Sequence, residues 1–372
     1  MKDLWLPGPS RRLLLVGCYP PPWGGISVHL HALRTLAGNA RIEMEVLDIG
    51  AGHGERSGVD RIHDGGSHAR FAAGLIRAAL RQDPVHVHIP GNNLKAWAVA
   101  VAASLPARGR ERRLLTVHSG LAPALLDGSD LARKAARACG RGYGRILCTN
   151  ATIAQALQGA GVPRSMLQVV SPFLGAVRGS KEAPAAALAA RQRFSTVLSC
   201  ALAPGPQYGE EVLLEALQIL LSRGVRVGAL VFGPGTLDPA FSRRLGSRGL
   251  LDTVVPLGEL DHETSLATIE GSTIFLRPTL ADGDSLSVRE ALGLGIDVVA
   301  SDASPRPPGT AVFRSGDAAH LAARIEAIAR RLQVDRSAQR RREAPGASEA
   351  ESSILAAWRR IGADPATEGA WS

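Results

Sequence analysis

The sequence predicts an α/β protein of two domains, each a parallel sheet with helices around it. Three observations predict this. Strand-length apolar runs alternate with helix-length stretches through most of the 372 residues, the order of repeated strand–helix–strand units. The length suits two domains of ordinary size, and 45% apolar content supports a substantial core in each. Several strands end in glycine loops that open onto helices, at Gly24-Gly25, Gly91, Gly233 and Gly283. In open parallel sheets that end of the strand is where ligands bind.

In chain order, residues 13–17 read as a buried strand and 26–36 as the helix after it. Between them lies Cys18-Tyr-Pro-Pro-Pro-Trp-Gly24-Gly25. Strand, glycine loop and helix form a phosphate-cradle order, though without the spacing of a dinucleotide fingerprint or a P-loop. A plain turn is the alternative. Residues 41–49 predict a second strand, 51–66 a glycine- and charge-rich loop, 68–80 a helix, and 84–89 a strand. His86 and His88 on that strand point to one side. A metal pair there lacks a third ligand nearby in sequence, so buried, satisfied histidines are expected. A helix over 95–105 follows, then a strand at 114–117 with His118 at its carboxyl end. A strand at 145–150, a helix at 151–160 and a short strand within 167–174 close the first domain.

The expected domain bounds are 1–175 for the first domain, 176–192 for a Gly/Ala/Ser-rich linker, 193–350 for the second, and 351–372 for a terminal helix and tail. The second domain opens with a strand at 196–200, a loop to Gly209 and a helix at 210–223. A strand at 227–232 ends in Gly233-Pro-Gly235, and another follows at 254–258 with a helix opened by Asp261. The most informative stretch runs from Arg277 to Asp302. Residues 274–276 end a buried strand, Asp282-Gly283-Asp284-Ser285 is turn and N-cap chemistry, and a helix carries Leu286, Val288, Ala291 and Leu292. Gly293 and Gly295 stop it, and a strand begins near Val298. A helix start at the carboxyl end of a parallel sheet is an anion site. Two acids, Asp282 and Glu290, bracket it, which fits a phosphate flanked by hydroxyl-rich groups. An amphipathic helix at 317–332, a loose polar stretch at 335–348 and a short apolar helix at 354–358 complete the chain.

The net charge of +9 is uneven. Residues 1–175 hold 21 Lys and Arg against 11 Asp and Glu, or +10; the remainder holds 22 against 23, or −1. Arg108, Arg110, Arg112 and Arg113 cluster, and Arg133, Lys134, Arg137 and Arg141 share a helix face. Such a face is either simply solvated or a surface for anionic membrane or a lipid-diphosphate acceptor. Nucleic acid is not an expected partner, because aromatic residues make up only 4% and no stacking platform is visible. Four cysteines without metal spacing indicate a reducing compartment. Residues 1–12 lack signal-peptide character, and the apolar run 96–105 is about half of a membrane span. The expectation is a cytoplasmic protein with peripheral contact at the inner membrane face.

The Asp282-to-Glu290 stretch resembles the Glu-x7-Glu signature of retaining glycosyltransferases of the GT-B fold, family 4-like (glycosyl transferases group 1). Asp282 stands for the first Glu, one methylene shorter, which displaces its contact by about 1.5 Å. The loop at Gly24-Gly25 resembles the Pro-x-x-Gly-Gly loop of the same enzymes, and His118 resembles their Thr-x-His position. The resemblance implies two facing Rossmann-like domains (GT-B) with an interdomain cleft. It implies transfer of a sugar from a nucleoside-diphosphate-sugar donor to a glycan or lipid-linked acceptor. The type would be a hexosyltransferase with retention, without metal or other cofactor, in surface polysaccharide biosynthesis. His118 and Asp282 would be catalytic, beside the reacting sugar. Donor binding would use Gly24, Gly25, Gly209, Gly233, Gly283, Arg277 and Glu290, with Glu290 on the ribose and the amides of Asp284, Ser285, Leu286 and Ser287 on the diphosphate. Ala203 and Tyr208 stand where the family has diphosphate-binding Arg and Lys; Arg277, Arg289 and Arg306 are the substitutes, or the helix amides carry more of the charge. Alanine at Asp282 or Glu290 is expected to lower donor turnover and leave the fold intact. A sugar-nucleotide epimerase and a non-catalytic GT-B binding protein remain as alternatives.

Overall fold

The computed structural model describes residues 12–50, 61–105, 109–175, 181–334 and 347–363. The expectations for residues 1–11, 51–60, Arg108, 176–180, 335–346 and 364–372 lie outside the described residues. The chain forms two compact units, residues 1–174 with 346–372 and residues 175–345.

The first unit contains β1 (Arg12–Gly17), α1 (Gly25–Asn39), β2 (Glu43–Asp48), β3 (Ile62–Asp64), α2 (His68–Arg81), β4 (Val85–Ile89), α3 (Leu94–Ser104), β5 (Arg113–Val117), α4 (Ala122–Gly128), α5 (Asp130–Gly142), β6 (Arg145–Cys148), α6 (Ala151–Gly159) and β7 (Leu167–Val169). Its seven strands are parallel in the order β3-β2-β1-β4-β5-β6-β7. The alternation along β1 shows why helices cover both faces. Leu13 and Leu15 pack into one apolar cluster, Leu14 and Val16 into another. Helix starts follow local chemistry: Ser67, Asn93, Ser129 and Asn150 cap α2, α3, α5 and α6 through their side-chain oxygens.

Two elements escape the sequence reading here. β3 is three half-buried residues that pair, among the described residues, with β2 alone, within a segment read as loop. α4 follows directly on the Ser119-Gly120 turn and buries Ala122 and Leu126. The terminal helix (Ala347–Arg360) is longer than the five apolar residues that signal it. It belongs to the first unit, where Ile354, Ala357 and Trp358 join the cluster of Leu13, Leu15 and Leu114. Trp358 is fully buried, and its Nε1 donates to His86 Nδ1 at 3.0 Å.

The second unit contains α7 (Ala185–Arg193), β8 (Val197–Ala201), α8 (Glu210–Ser222), β9 (Gly228–Phe232), α9 (Pro239–Ser247), β10 (Val254–Gly258), α10 (His262–Glu270), β11 (Ile274–Arg277), α11 (Leu286–Gly293), β12 (Asp297–Ser301), β13 (Thr310–Phe313) and α12 (Ala318–Val334). Its six parallel strands run β10-β9-β8-β11-β12-β13. Counted from β8 this is 3-2-1-4-5-6, the doubly wound order, with its switch point between β8 and β11. Part of the segment read as linker is α7. Its alanines favour helix, and Ala187 and Ala190 pack against Val197 and Leu230. The low apolar weight of alanine made the composition look like a spacer.

Candidate functional site

The carboxyl ends of β8 and β11 carry two loops that touch. Leu280 N donates to Gln207 O at 2.8 Å. Gly209, at φ +74°, lies so close to the second loop that a Cβ there would sit 1.9 Å from Pro278 O. Gly233, after β9, is under the same constraint: at φ +123° its Cβ would lie 1.9 Å from Leu202 O. These two glycines are therefore fixed by close backbone approach and by left-handed or otherwise disallowed φ.

Two helices begin on this rim, and they differ in charge. α8 opens with Glu210 and Glu211, which pair with Arg244 and Arg248. α11 has no acid in its first turn. Ser285 is its N-cap, accepting from Val288 N at 3.4 Å and lying 3.2 Å from Ser287 Oγ. Gly283, Leu286 and Ser287 are half-buried around this start. The amides of the first turn have no intrahelical acceptor, so the start of α11 presents a partial positive charge.

The acids flanking α11 are each engaged. Both oxygens of Asp282 accept from Arg277, Nε at 3.0 Å and Nη2 at 3.1 Å. Arg306 Nη1 adds a third contact at 2.9 Å and Thr279 Oγ1 a fourth at 3.3 Å. Three of these four donors converge on Oδ2, and Oδ1 accepts from Arg277 Nη2 alone. Burial pushes the Asp282 carboxyl up, but the Arg277 charge and hydrogen bonds, then those of Arg306, outweigh it and hold it at about 2. The guanidinium of Arg277 lies 5.9 Å from the Tyr208 ring centroid. Asp282, Arg277 and Arg306 together hold one net positive charge. Asp284 is bound by Arg289 Nε at 2.8 and 3.0 Å.

Glu290 is buried on α11 and meets His262 Nε2 of α10 at 2.7 Å. Burial lowers the His262 pKa, yet the Glu290 hydrogen bond and charge outweigh it and raise the pKa above its ordinary value. His262 has no sequence signal linking it to Glu290; only the packing of α10 on α11 brings the two together.

In the first unit, Gly24 and Gly25 are exposed at the start of α1. A Cβ at either would meet nothing within 4 Å. Gly24 has extended backbone at φ −158°, so any residue fits there conformationally. Ser27 Oγ accepts from Gly24 N at 2.8 Å and donates to Pro22 O at 2.8 Å, which shapes the loop. His118 stands at the end of β5, buried, with Nε2 2.9 Å from His88 Nδ1. Burial, reinforced by His29 and His86, keeps its pKa well below the ordinary value. A neutral His118 serves as a hydrogen-bond partner rather than a charge.

Residues 195–331 match the family model for glycosyl transferases group 1. Among curated proteins no sequence matches the chain significantly. Among solved structures, the chain is similar to HepE of Anabaena in complex with UDP-glucose, at 17% identity and TM-score 0.68, covering 94% of this chain and 98% of that one. Sucrose-phosphate synthase of Thermosynechococcus elongatus gives 16% identity and TM-score 0.64 over 94% and 96%. The α,α-trehalose 6-phosphate synthase of Burkholderia multivorans gives 13% identity and TM-score 0.63 over 95% and 99%. The chain thus has the GT-B fold with two Rossmann-like domains, and residues 195–331, in the second, are similar to glycosyl transferases group 1.

Proposed function

We propose that this protein transfers a sugar from a nucleoside-diphosphate-sugar donor to a hydroxyl acceptor. The observation that carries the reading is the start of α11. It lies at the β8/β11 switch point, free of acid in its first turn, with buried Glu290 on one side and the Arg277–Asp282–Arg306 cluster on the other. The amides of Ser285 to Ser287 receive the diphosphate and Glu290 the ribose. Asp282 acts by holding Arg277 and Arg306 in place, since both arginines are bound to its carboxylate. The net positive charge of that cluster compensates for Ala203 and Tyr208 and stabilises the departing diphosphate. HepE is similar in fold and was solved with UDP-glucose and with UDP and glucose, which supports the donor class.

Transfer with retention and without metal belongs to the same proposal, on the family resemblance of the Asp282–Glu290 stretch. A glycan or lipid-linked acceptor in surface polysaccharide assembly is proposed from the basic first unit. There Lys134, Arg137 and Arg141 are exposed on α5, a face suited to anionic lipid. Among the described residues no helix is long and apolar enough to cross a membrane. The open backbone at Gly24 and Gly25 is proposed to admit close approach of the donor phosphate. Release of nucleoside diphosphate, measured with and without candidate acceptors, tests the reading. Acceptor-dependent release supports transfer, release without acceptor supports an epimerase or hydrolase, and donor binding without turnover supports a non-catalytic protein.

A further inference from the structure

Four histidines far apart in the sequence meet inside the first unit: His29 on α1, His86 and His88 on β4, and His118 after β5. All four are buried. His86 is fully committed. Its Nδ1 accepts from Trp358 Nε1 at 3.0 Å, so its proton lies on Nε2, which donates to Thr116 Oγ1 at 2.8 Å. The other three are arranged differently. The ring centroids of His29, His88 and His118 form a nearly equilateral triangle with sides of 5.4, 5.4 and 5.2 Å. One nitrogen from each lies within 4.8 Å of the other two. Among the described residues no other three His, Cys, Asp or Glu side chains converge in this way.

We propose that His29, His88 and His118 form a binding site for a divalent transition-metal ion of the zinc type. A tetrahedral ion with metal–nitrogen bonds of about 2.0–2.1 Å sets nitrogens about 3.3 Å apart and imidazole centroids about 5.2 Å apart. The three rings already have that centroid spacing, so ring rotation rather than backbone movement completes the site. His29 has the outer contact that orients a ligating imidazole: Nδ1 donates to Pro172 O at 2.6 Å, leaving Nε2 as a lone pair. His88 Nε2 is buried with no hydrogen-bond partner. An orphaned polar nitrogen in a core needs a compensating ligand. Three imidazoles without carboxylate or thiolate suit zinc, copper or nickel rather than calcium or magnesium.

Coordination by all three has one requirement. The hydrogen bond between His88 Nδ1 and His118 Nε2, at 2.9 Å, must open. With the shared proton on His88 Nδ1, His88 Nε2 is the lone pair that meets the ion, and opening the bond frees the lone pair of His118 Nε2, so each ring keeps its own proton on Nδ1. No charge changes in that step. The ion would pin α1 to the ends of β4 and β5. This inference stands apart from the sugar-transfer reading, because metal content is measured without donor or acceptor.

The test uses the full chain, stripped with chelator and then titrated with Zn2+ or Co2+. The expected result is one equivalent of metal per chain, an intense tetrahedral Co2+ absorption, and a higher melting temperature for the loaded protein. His29→Phe and His88→Phe should each abolish that uptake. Should the variants fail to fold, X-ray absorption of the zinc-loaded wild type reads the ligands directly, and three imidazoles are expected. Absence of stoichiometric uptake by the wild type, uptake that persists in both folded variants, or a sulfur-ligated ion would overturn the proposal.

Discussion

Asp282→Asn removes the negative charge between Arg277 and Arg306 while keeping the side chain's shape. The side chain of Arg306 is 2% exposed and that of Asp282 8%, so water does not replace the lost partner. Breaking a buried ion pair by removing one partner costs about 3–5 kcal/mol. The fall of the Asp282 carboxyl from its ordinary 3.8 to about 2 accounts for about 2 kcal/mol of this. The remainder comes from leaving two guanidinium groups facing each other. The cost falls on the second unit, so urea unfolding should be followed by a probe in that unit, with Asp282→Asn, Arg306→Met and the double variant forming a cycle. The pH dependence provides a separate check. A depressed carboxyl pKa contributes stability that is complete above 3.8 and lost as pH falls through about 2. Wild-type protein should lose that contribution between pH 4 and about 2, and Asp282→Asn should not. A loss below about 0.5 kcal/mol in the Asn variant at pH 7 would refute the view that Asp282 organises the arginines. The same geometry revises the expectation that alanine at this position leaves the fold intact.

Three further outcomes follow from the structure. His262 has a pKa raised by Glu290, so the pair's stabilisation is complete below 6.5 and lost as pH rises through the folded-state pKa; His262→Gln should remove this loss in melts across neutral pH, and an unchanged pH profile would count against the pairing. Gly209→Ala places a Cβ 1.9 Å from Pro278 O at φ +74° and should cost at least about 2 kcal/mol, whereas Gly24→Ala, in open space, should stay within about 0.5 kcal/mol by denaturant titration. Trp358→Ala should destabilise the first unit by about 3–5 kcal/mol, through the cavity and the unpaired His86 Nδ1; a change under about 1 kcal/mol would show that the terminal helix is not part of that core.

Much of the fold was legible because glycine and N-cap residues punctuate it. The run from β11 through α11 to β12 carries Ser285 at its helix start and Gly293 and Gly295 at its end, and the structure follows those signals. α7 was hidden because alanine packs well without raising hydropathy, and β3 and β13 because short edge strands carry little apolar pattern. The site was half legible. Asp282 and Glu290 stand out by spacing, but Arg306 reaches Asp282 from the loop after β12, 24 residues on. His262 reaches Glu290 from another helix. His86 and His88 share a strand, are read as a pair from sequence and lie 4.1 Å apart between ring centroids, yet His88 also meets His29 and His118, which only the fold brings to it. Local patterns encode elements; contacts between elements are set by topology.

The most direct measurement is hydrogen–deuterium exchange across residues 284–289, with and without a panel of nucleoside-diphosphate sugars. If the start of α11 receives the diphosphate, the amides of Ser285 to Ser287 should gain protection with at least one donor, and Glu290→Ala should weaken that gain. Saturating donors that leave this turn exchanging at its free rate, while the protein still turns them over, would contradict the account.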